Sequence, residues 1–138
     1  MKIASWDECL ESNCAYSITP DYAKAKSLSG TSQERMKFLK SNKITEENAN
    51  FIFEGVYTSV LEILHAIVLK KGFKVDNHLC LGFYLRDVLE KEGLCRVFDD
   101  LRYKRNSLVY YGKRMDFETA KQSVEKARKL INELMMVK

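Results

Sequence analysis

Arg105 is the residue of this sequence whose type and position most clearly predict chemistry. Read as a helix at about 100° per residue, the segment from 94 to 109 places Arg105 near the centre of an apolar face. Five residues form that face: Leu94, Val97, Phe98, Leu101 and Leu108. Arginine stays protonated, so burying it without a counter-charge costs many kcal/mol. Arg105 therefore requires a carboxylate, a phosphate or a hydrated cleft at a subunit interface.

A structural ion pair inside a helical bundle is the alternative to an anion-binding arginine. Glu47 and Glu54 lie seven residues apart at the border of another predicted apolar stripe, so either could pair with Arg105. Asp99 and Asp100 are nearer in sequence, but the helical periodicity directs them away from the Arg105 face. The sequence leaves both interpretations open.

Basic residues concentrate around the same segment. Five of them fall within thirteen positions: Arg102, Lys104, Arg105, Lys113 and Arg114. The net charge of +4 is mild, so it permits a nucleic-acid partner without requiring one. A solvated helix face would explain the cluster as well as a phosphate-binding surface does.

The cysteines and histidines predict no metal site and no cofactor. Cys9, Cys14, Cys80 and Cys95 include no CxxC pair, and neither histidine is spaced with them as a ligand. We expect four buried free thiols and no disulfide, as is usual in a cytosolic protein.

The elements that must position Arg105 are helices, joined by short polar loops in a single domain over residues 1–138. One proline and six glycines leave few breaks, and no segment predicts a strand convincingly. The predicted helices span about 5–13, 19–41, 46–71 and 78–91, then a fifth that stops near Tyr111-Gly112 and a sixth from Asp116 through Leu134. Short connections between them predict an all-α, up-and-down bundle of five to six helices.

Several residues predict where these helices begin and end. Ser5, Asn77 and Asp116 are expected N-caps, whereas Thr45 followed by Asn48 makes a poor capping box. Gly30 could interrupt the second helix, and Gly72 and Gly93 are expected to end the third and fourth.

The chain shows no predicted membrane segment. The longest nearly apolar stretch, Val60–Leu69, contains Glu62 and His65 and is too short to span a bilayer. The first ten residues already carry two acidic side chains and have no apolar run, so they do not read as a signal peptide. We therefore expect a cytoplasmic protein.

The stretch 102–112 (RYKRNSLVYYG) resembles the signature region of HEPN domains, which are small all-helical proteins. The order of other elements also resembles that family over about residues 46–134: a long helix ending in Lys70-Lys71-Gly72, the Asn77-His78-Leu79 opening, and a last amphipathic helix. The resemblance implies a homodimer whose paired motifs face each other and, in many members, cleave RNA without a metal. The family motif is an arginine followed four to six residues later by a histidine.

This chain departs from that motif. Arg105 and Asn106 match its first two positions, but Tyr110, Tyr111 and Gly112 stand where the histidine belongs. A tyrosine, whose pKa is ordinarily about 10, is poorly suited to proton transfer at neutral pH. His78 falls where the family often has a helix-opening histidine, which favours a capping role.

The resemblance further implies a nucleotidyltransferase antitoxin, because some HEPN toxins are silenced when such a partner adenylylates a tyrosine beside the motif. Tyr110 and Tyr111 are candidates, although the family's usual position corresponds to Gly112. The simpler expectation is that both rings pack against the end of the bundle.

The sequence thus predicts a homodimer that binds RNA, a nucleotide phosphate or a nucleotidyltransferase, with little catalysis. The predicted binding residues are Arg102, Lys104, Arg105, Asn106 and Tyr111. The alternatives are a metal-independent endoribonuclease that uses Arg105 with Tyr110, and a structural adaptor in which Arg105 is internally paired.

Overall fold

The computed structural model describes residues 2–137, and within that range the chain forms six α-helices and two short strands. This confirms the predicted all-α bundle. The helices are α1 (Trp6–Glu11), α2 (Tyr22–Lys40), α3 (Ala49–Lys70), α4 (His78–Phe83), α5 (Glu92–Tyr111) and α6 (Phe117–Leu134). The strands are β1 (Ala15–Ser17) and β2 (Phe73–Val75).

Helix α3 is the centre of the bundle, and α2, α5 and α6 pack around it. The whole predicted apolar stripe of this helix, from Phe53 to Ile67, is buried. Its length and hydropathy would suffice to cross a membrane, but 67% of that window is buried inside the fold. The apolar character of α3 is therefore explained by its place in the core.

The helix ends follow from local side-chain chemistry. Ser5, Asn77 and Asp116 each accept a backbone hydrogen bond at the start of a helix, as predicted. Thr45 and Asn48 form a reciprocal pair, because the Asn48 Oδ1 accepts from the Thr45 backbone and the Thr45 Oγ1 accepts from the Asn48 backbone. This pair closes the turn before α3, whose N-cap Asn48 makes no side-chain capping bond. Helix α2 continues through Gly30 without interruption.

The prediction that the chain has no strand is wrong. Strands β1 and β2 pair antiparallel, with Ala15 opposite Val75 and Ser17 opposite Phe73. Three residues are too few to show the alternation of apolar and polar residues that predicts a strand. Their pairing depends on a contact between segments far apart in sequence.

The fourth helix is shorter than predicted and changes its winding. After Phe83 the chain continues as a π-helical turn over Tyr84–Val88, where the Leu89 backbone N–H donates to the Tyr84 carbonyl at 3.1 Å. Val88, expected on the buried face, is exposed because this wider turn rotates it outward. Glu90, with a φ of 56°, ends the segment, and Gly93 lies inside α5 instead of ending α4.

The expectation of four free thiols is also wrong, because a disulfide joins Cys9 of α1 to Cys80 of α4. The two cysteines are 71 residues apart in sequence, and only the packing of α1 against α4 brings their Cα atoms to 6.1 Å. Cys14 and Cys95 are free thiols, and only Cys95 is buried. Disulfides are rare in cytosolic proteins, so this bond does not support the expectation of a cytoplasmic protein.

Candidate functional site

The carboxyl-terminal half of α5 lies at the edge of the core, where Leu108 is partly buried against it. Leu101 is the last residue of this helix that is buried, and none of the ten residues from Arg102 to Tyr111 is. The helix ends as predicted at Gly112, whose φ of 63° suits a glycine in the left-handed region. All of the predicted site residues thus lie on a helical segment that is only partly buried.

The loop after α5 is nevertheless held firmly to the core. The Asn50 side chain, near the start of α3, donates to the Met115 carbonyl and accepts from the Met115 backbone N–H, both at 3.0 Å. Asp116 then caps α6 by accepting from the backbone of Thr119 at 2.8 Å. These contacts fix the position of the end of α5, although its side chains remain accessible.

Arg105 is half-buried and lies against the aromatic rings of Tyr57 and Tyr110. Its guanidinium carbon is 5.8 Å from the centre of the buried Tyr57 ring and 5.5 Å from that of Tyr110. Its Nη1 donates to the Asn106 Oδ1 at 3.4 Å and to the Tyr110 Oη at 3.3 Å. Both acceptors are neutral, so neither compensates the charge of Arg105.

The carboxylates that sequence analysis offered as partners do not reach Arg105. Within the described residues, neither Glu47 nor Glu54 forms an ion pair with it. Asp99 and Asp100 pair instead with Arg102 and with lysines. The expected alternative of an internal ion pair for Arg105 is therefore absent from residues 2–137.

Arg105 lines an open cleft of about 460 Å³ between α5 and the segment that leads into α4. One wall is formed by Arg102, Arg105, Asn106 and Tyr110 of α5. The opposite wall carries Cys14, Asp76, Asn77, His78 and Leu79. Asp76 is the single carboxylate among these lining residues, so the cleft carries more positive than negative charge.

His78 belongs to this cleft, and sequence analysis assigned it only a capping role. The cap of α4 is Asn77, whose Oδ1 accepts from the Leu79 backbone at 2.8 Å, which leaves the imidazole of His78 uninvolved in the cap. The His78 Nδ1 lies 3.4 Å from the hydroxyl of Tyr57, the same ring that Arg105 covers. No spacing in the sequence relates residues 57, 78 and 105, so only the tertiary structure reveals this group.

The surroundings of His78 favour its neutral form. Burial lowers the pKa of the imidazole, and the positive charges of Arg105, His65 and Arg102 lower it further. Burial also raises the pKa of the Tyr57 phenol, which therefore keeps its proton. The cleft thus holds a neutral imidazole beside a charged guanidinium.

The structure separates the predicted binding residues into two groups. Arg102, Asn106 and Tyr110 share the cleft with Arg105. Lys104 pairs with Asp100 at 2.8 Å outside it, and Tyr111 also lies outside. Helical periodicity explains this division. Positions 102, 105, 106 and 110 lie on one face of the helix, whereas 104 and 111 lie on the opposite side.

Arg102 is only partly compensated. Its Nε is 3.6 Å from the Asp99 Oδ1, which is close enough for an ion pair but too long for a hydrogen bond. Both atoms are buried and neither has a hydrogen-bond partner in the described part of the chain. Arg102 is therefore held beside Asp99 by charge alone, and its buried Nε does not face the open cleft.

The expectation that Tyr110 and Tyr111 pack against the bundle end is wrong. Tyr110 is 67% exposed and Tyr111 is 81% exposed. Both follow the last buried residue of α5, and the segments near this end of the helix leave the two rings largely uncovered. Their hydroxyl groups are accessible to a macromolecular partner.

Comparison of the chain with protein-family models, curated proteins and solved structures found no match. Within residues 2–137, no group of three or more histidine, cysteine, aspartate or glutamate side chains could hold a metal ion.

Proposed function

We propose that the cleft around Arg105 binds the phosphate groups of RNA or of a nucleotide. The observation that carries this proposal is a half-buried arginine whose hydrogen-bond acceptors are all neutral. A phosphate would supply the missing negative charge and can accept two parallel hydrogen bonds from a guanidinium. Arg102, on the same wall, can contribute a second positive charge.

The aromatic side chains near the cleft suit a nucleic acid. Tyr110 covers Arg105 and lines the cleft, whereas Tyr103 and Tyr111 are exposed outside it on the same half of α5. Exposed aromatic rings stack on bases while basic side chains contact the backbone. This arrangement favours RNA over a free inorganic anion as the ligand.

We further propose that two copies of the chain assemble through the carboxyl-terminal half of α5. Val109, Tyr110 and Tyr111 are exposed there, and a second copy would cover these side chains. Light scattering on a sizing column should report a dimer. A monomer at tens of micromolar, well above the Kd of a stable interface, would contradict this part of the proposal.

Fluorescence anisotropy with a labelled single-stranded RNA of about 20 nucleotides tests the binding function. Arg105→Ala should weaken binding by about tenfold or more and should reduce the salt dependence of binding by about one ion. Arg96→Ala is the matched control, because Arg96 lies on the same helix but pairs with Glu92 at an exposed position outside the cleft. It removes the same charge and should have a much smaller effect.

Two results would contradict the binding function. One is wild-type RNA binding that Arg105→Ala leaves unchanged. The other is an equal loss of affinity in Arg105→Ala and Arg96→Ala, which would indicate diffuse electrostatic attraction instead of a site.

His78 favours a second candidate function, a metal-independent endoribonuclease. In such a reaction the ribose 2′-hydroxyl attacks its own phosphodiester, the bond to the 5′-oxygen breaks, and a 2′,3′-cyclic phosphate forms. A neutral imidazole can accept the 2′-hydroxyl proton, and a guanidinium can stabilise the charge that builds on the phosphate. The departing 5′-oxygen then takes a proton from the imidazolium so formed or from water. The lowered pKa of His78 keeps its imidazole in the proton-accepting form at neutral pH.

This second candidate assigns the proton transfer to His78 instead of Tyr110. It requires RNA cleavage that persists in EDTA and that His78→Ala and Arg105→Ala both abolish. Cleavage that survives in His78→Ala but disappears in Tyr110→Phe would return the role to Tyr110. RNA binding without cleavage would support the first function alone.

The exposure of Tyr110 and Tyr111 supports a nucleotidyltransferase as a protein partner, since a modifying enzyme needs an accessible hydroxyl. Adenylylation would transfer an AMP group from ATP to the tyrosine oxygen, with release of pyrophosphate. On Tyr110, the added phosphate would stand beside Arg105 and would compete with RNA for the cleft. Mass spectrometry after incubation with a candidate enzyme and ATP tests this partner directly.

A further inference from the structure

A second concave surface lies away from the Arg105 cleft and shares no lining residue with it. Helices α2 and α6 both pack on α3 and leave an open groove of about 740 Å³ between them. The buried side chain of Ile63, from α3, lines the groove between the two helices. Met36 of α2, Ile131 of α6 and Met135, the residue that follows α6, complete the apolar lining.

The rims of the groove are basic. Lys37 and Lys40 line it from α2, and Arg128 and Lys129 line it from α6. Glu125 is the single carboxylate among the lining residues, and it already bonds to the Arg128 Nη1 at 3.1 Å. The Arg128 Nε has no acceptor within residues 2–137. The groove therefore combines an apolar floor with positive charge on both sides.

The dimensions of the groove match a short helix. Lining residues extend from position 32 to 40 on α2 and from 125 to 135 on α6. At a rise of 1.5 Å per residue these stretches are about 12 and 15 Å long, which equals two to three helical turns. Methionine side chains adapt their shape to the residues of a docked helix.

We propose that this groove binds an amphipathic helix of another protein, with apolar residues on one face and carboxylates on both flanks. The apolar face would contact Met36, Ile63 and Met135, and the carboxylates would pair with the lysines and Arg128 of the rims. Such a helix-in-groove arrangement takes its affinity from the apolar anchors and its selectivity from the charges.

Charge also decides against a second copy of this chain as the occupant. The chain carries a net charge of +4, and α2 and α6 both present lysines along the groove. Pairing two copies through this surface would place like charges opposite one another, which is unfavourable. An acidic partner removes that repulsion and supplies the missing acceptors.

A designed peptide is the probe for this proposal. It has about 14 residues, leucines at helical spacing along one face and glutamates on the flanks, and it carries a fluorescent label. A reference peptide replaces the glutamates by lysines. The acidic peptide should bind about tenfold tighter or better than the reference peptide, and the preference should fall as salt increases.

Matched variants locate the binding site. Lys37→Glu with Lys129→Glu reverses charge on both rims and should weaken binding of the acidic peptide about tenfold or more. Lys26→Glu with Lys121→Glu makes the same change of net charge on the same two helices, at exposed residues outside the groove. This control should weaken binding much less. When the acidic peptide is added to the wild-type protein, the amide NMR signals that move should belong to residues 32–40 and 125–135.

Several outcomes would overturn the proposal. Equal binding of the acidic and reference peptides, or an equal loss in both double variants, would exclude a selective groove. Peptide-induced changes of amide shifts outside these two stretches would also exclude the groove. This measurement uses the wild-type protein, so it stands even if a variant fails to fold. Dodecanoate binding that the peptide cannot displace would assign the groove to a small amphiphile. A change of oligomeric state in the groove variant alone would assign it to a second copy.

Discussion

Arg35 and Arg105 are the same type of residue at the edge of the same central helix, but their surroundings differ completely. Arg35 of α2 donates from Nε and Nη2 to the two carboxylate oxygens of Glu62 on α3, at 3.1 and 3.2 Å. Arg105 of α5 donates only to neutral oxygens and lies over aromatic rings. The fold thus compensates one arginine internally and leaves the other available.

The difference follows from where each arginine meets α3. Arg35 lies along the longest helix contact of the bundle, where the two partners approach for most of their length. Arg105 lies where α5 leaves the core, so one side of its guanidinium faces the cleft. Water and the faces of Tyr57 and Tyr110 stabilise its charge there. A candidate binding site can therefore be recognised where the fold leaves a charged side chain without a counter-charge.

The largest expected effect concerns the disulfide that fixes the α4 wall of the cleft. Replacing Cys9 and Cys80 by alanine should reduce the free energy of unfolding by about 4 kcal/mol, because the bond closes a loop of about 70 residues in the unfolded chain. Urea unfolding measures this, with Cys14→Ala as the control.

A thiol titration provides an independent check of the same bond. The unfolded, unreduced protein should show two free thiols, Cys14 and Cys95, out of the four cysteines of the sequence. Four free thiols before reduction would contradict the disulfide.

The ion pair between Arg35 and Glu62 predicts the next largest effect. Glu62→Gln removes the counter-charge of Arg35 and should cost about 1–2 kcal/mol, less than the 3–5 kcal/mol of a fully buried pair, because Arg35 stays 35% exposed. Glu54→Gln is the matched control on the same helix, since Glu54 forms no ion pair among the described residues. Chemical denaturation of both variants decides the point. Equal losses of unfolding free energy in the two variants would show that the ion pair between Arg35 and Glu62 adds nothing to stability.

The uncompensated Arg105 predicts a smaller change in stability. Arg105→Met keeps most of the packing against Tyr57 and strands no carboxylate, so the free energy of unfolding should change by less than about 1 kcal/mol. The same denaturation series provides the measurement. A loss larger than that of Glu62→Gln would mean that Arg105 is a structural residue, and the proposed binding function would fail with it.

The smallest effect is a change in the titration of His78. NMR should find its pKa below the ordinary value of 6.5, and Arg105→Gln should raise it because a nearby positive charge is removed. Burial and Lys24 lower the pKa of His65, and its titration should change less than that of His78, because Arg105 is not among the charges that shift it directly. An unchanged His78 titration in Arg105→Gln would show that the two groups are not coupled.

These lowered pKa values also set the sign of a pH dependence. The unfolded chain binds protons at His65 and His78 more readily than the folded protein does. The contribution of both histidines to stability is therefore fully present above pH 6.5 and decreases as the pH falls below that value. Thermal melts between about pH 5 and 8 measure this trend, and greater stability at the acid end would contradict it.

The sequence by itself determined the helices and much of their packing. The three- and four-residue spacing of apolar side chains in α3 specifies one buried face regardless of what covers it. Ser5, Asn77 and Asp116 act on backbone groups within three residues, so their capping roles can also be read locally. Periodicity likewise placed Arg105 on the side of α5 that faces α3.

Only the tertiary structure decided the parts that depend on distant segments. The pairing of Ala15–Ser17 with Phe73–Val75 and the bond between Cys9 and Cys80 join regions whose sequences carry no signal for each other. The same holds for His78, which reaches Arg105 only because α4 and α5 both approach Tyr57. Local pattern specifies which face of a helix is buried, but the contents of a cleft depend on which helices meet.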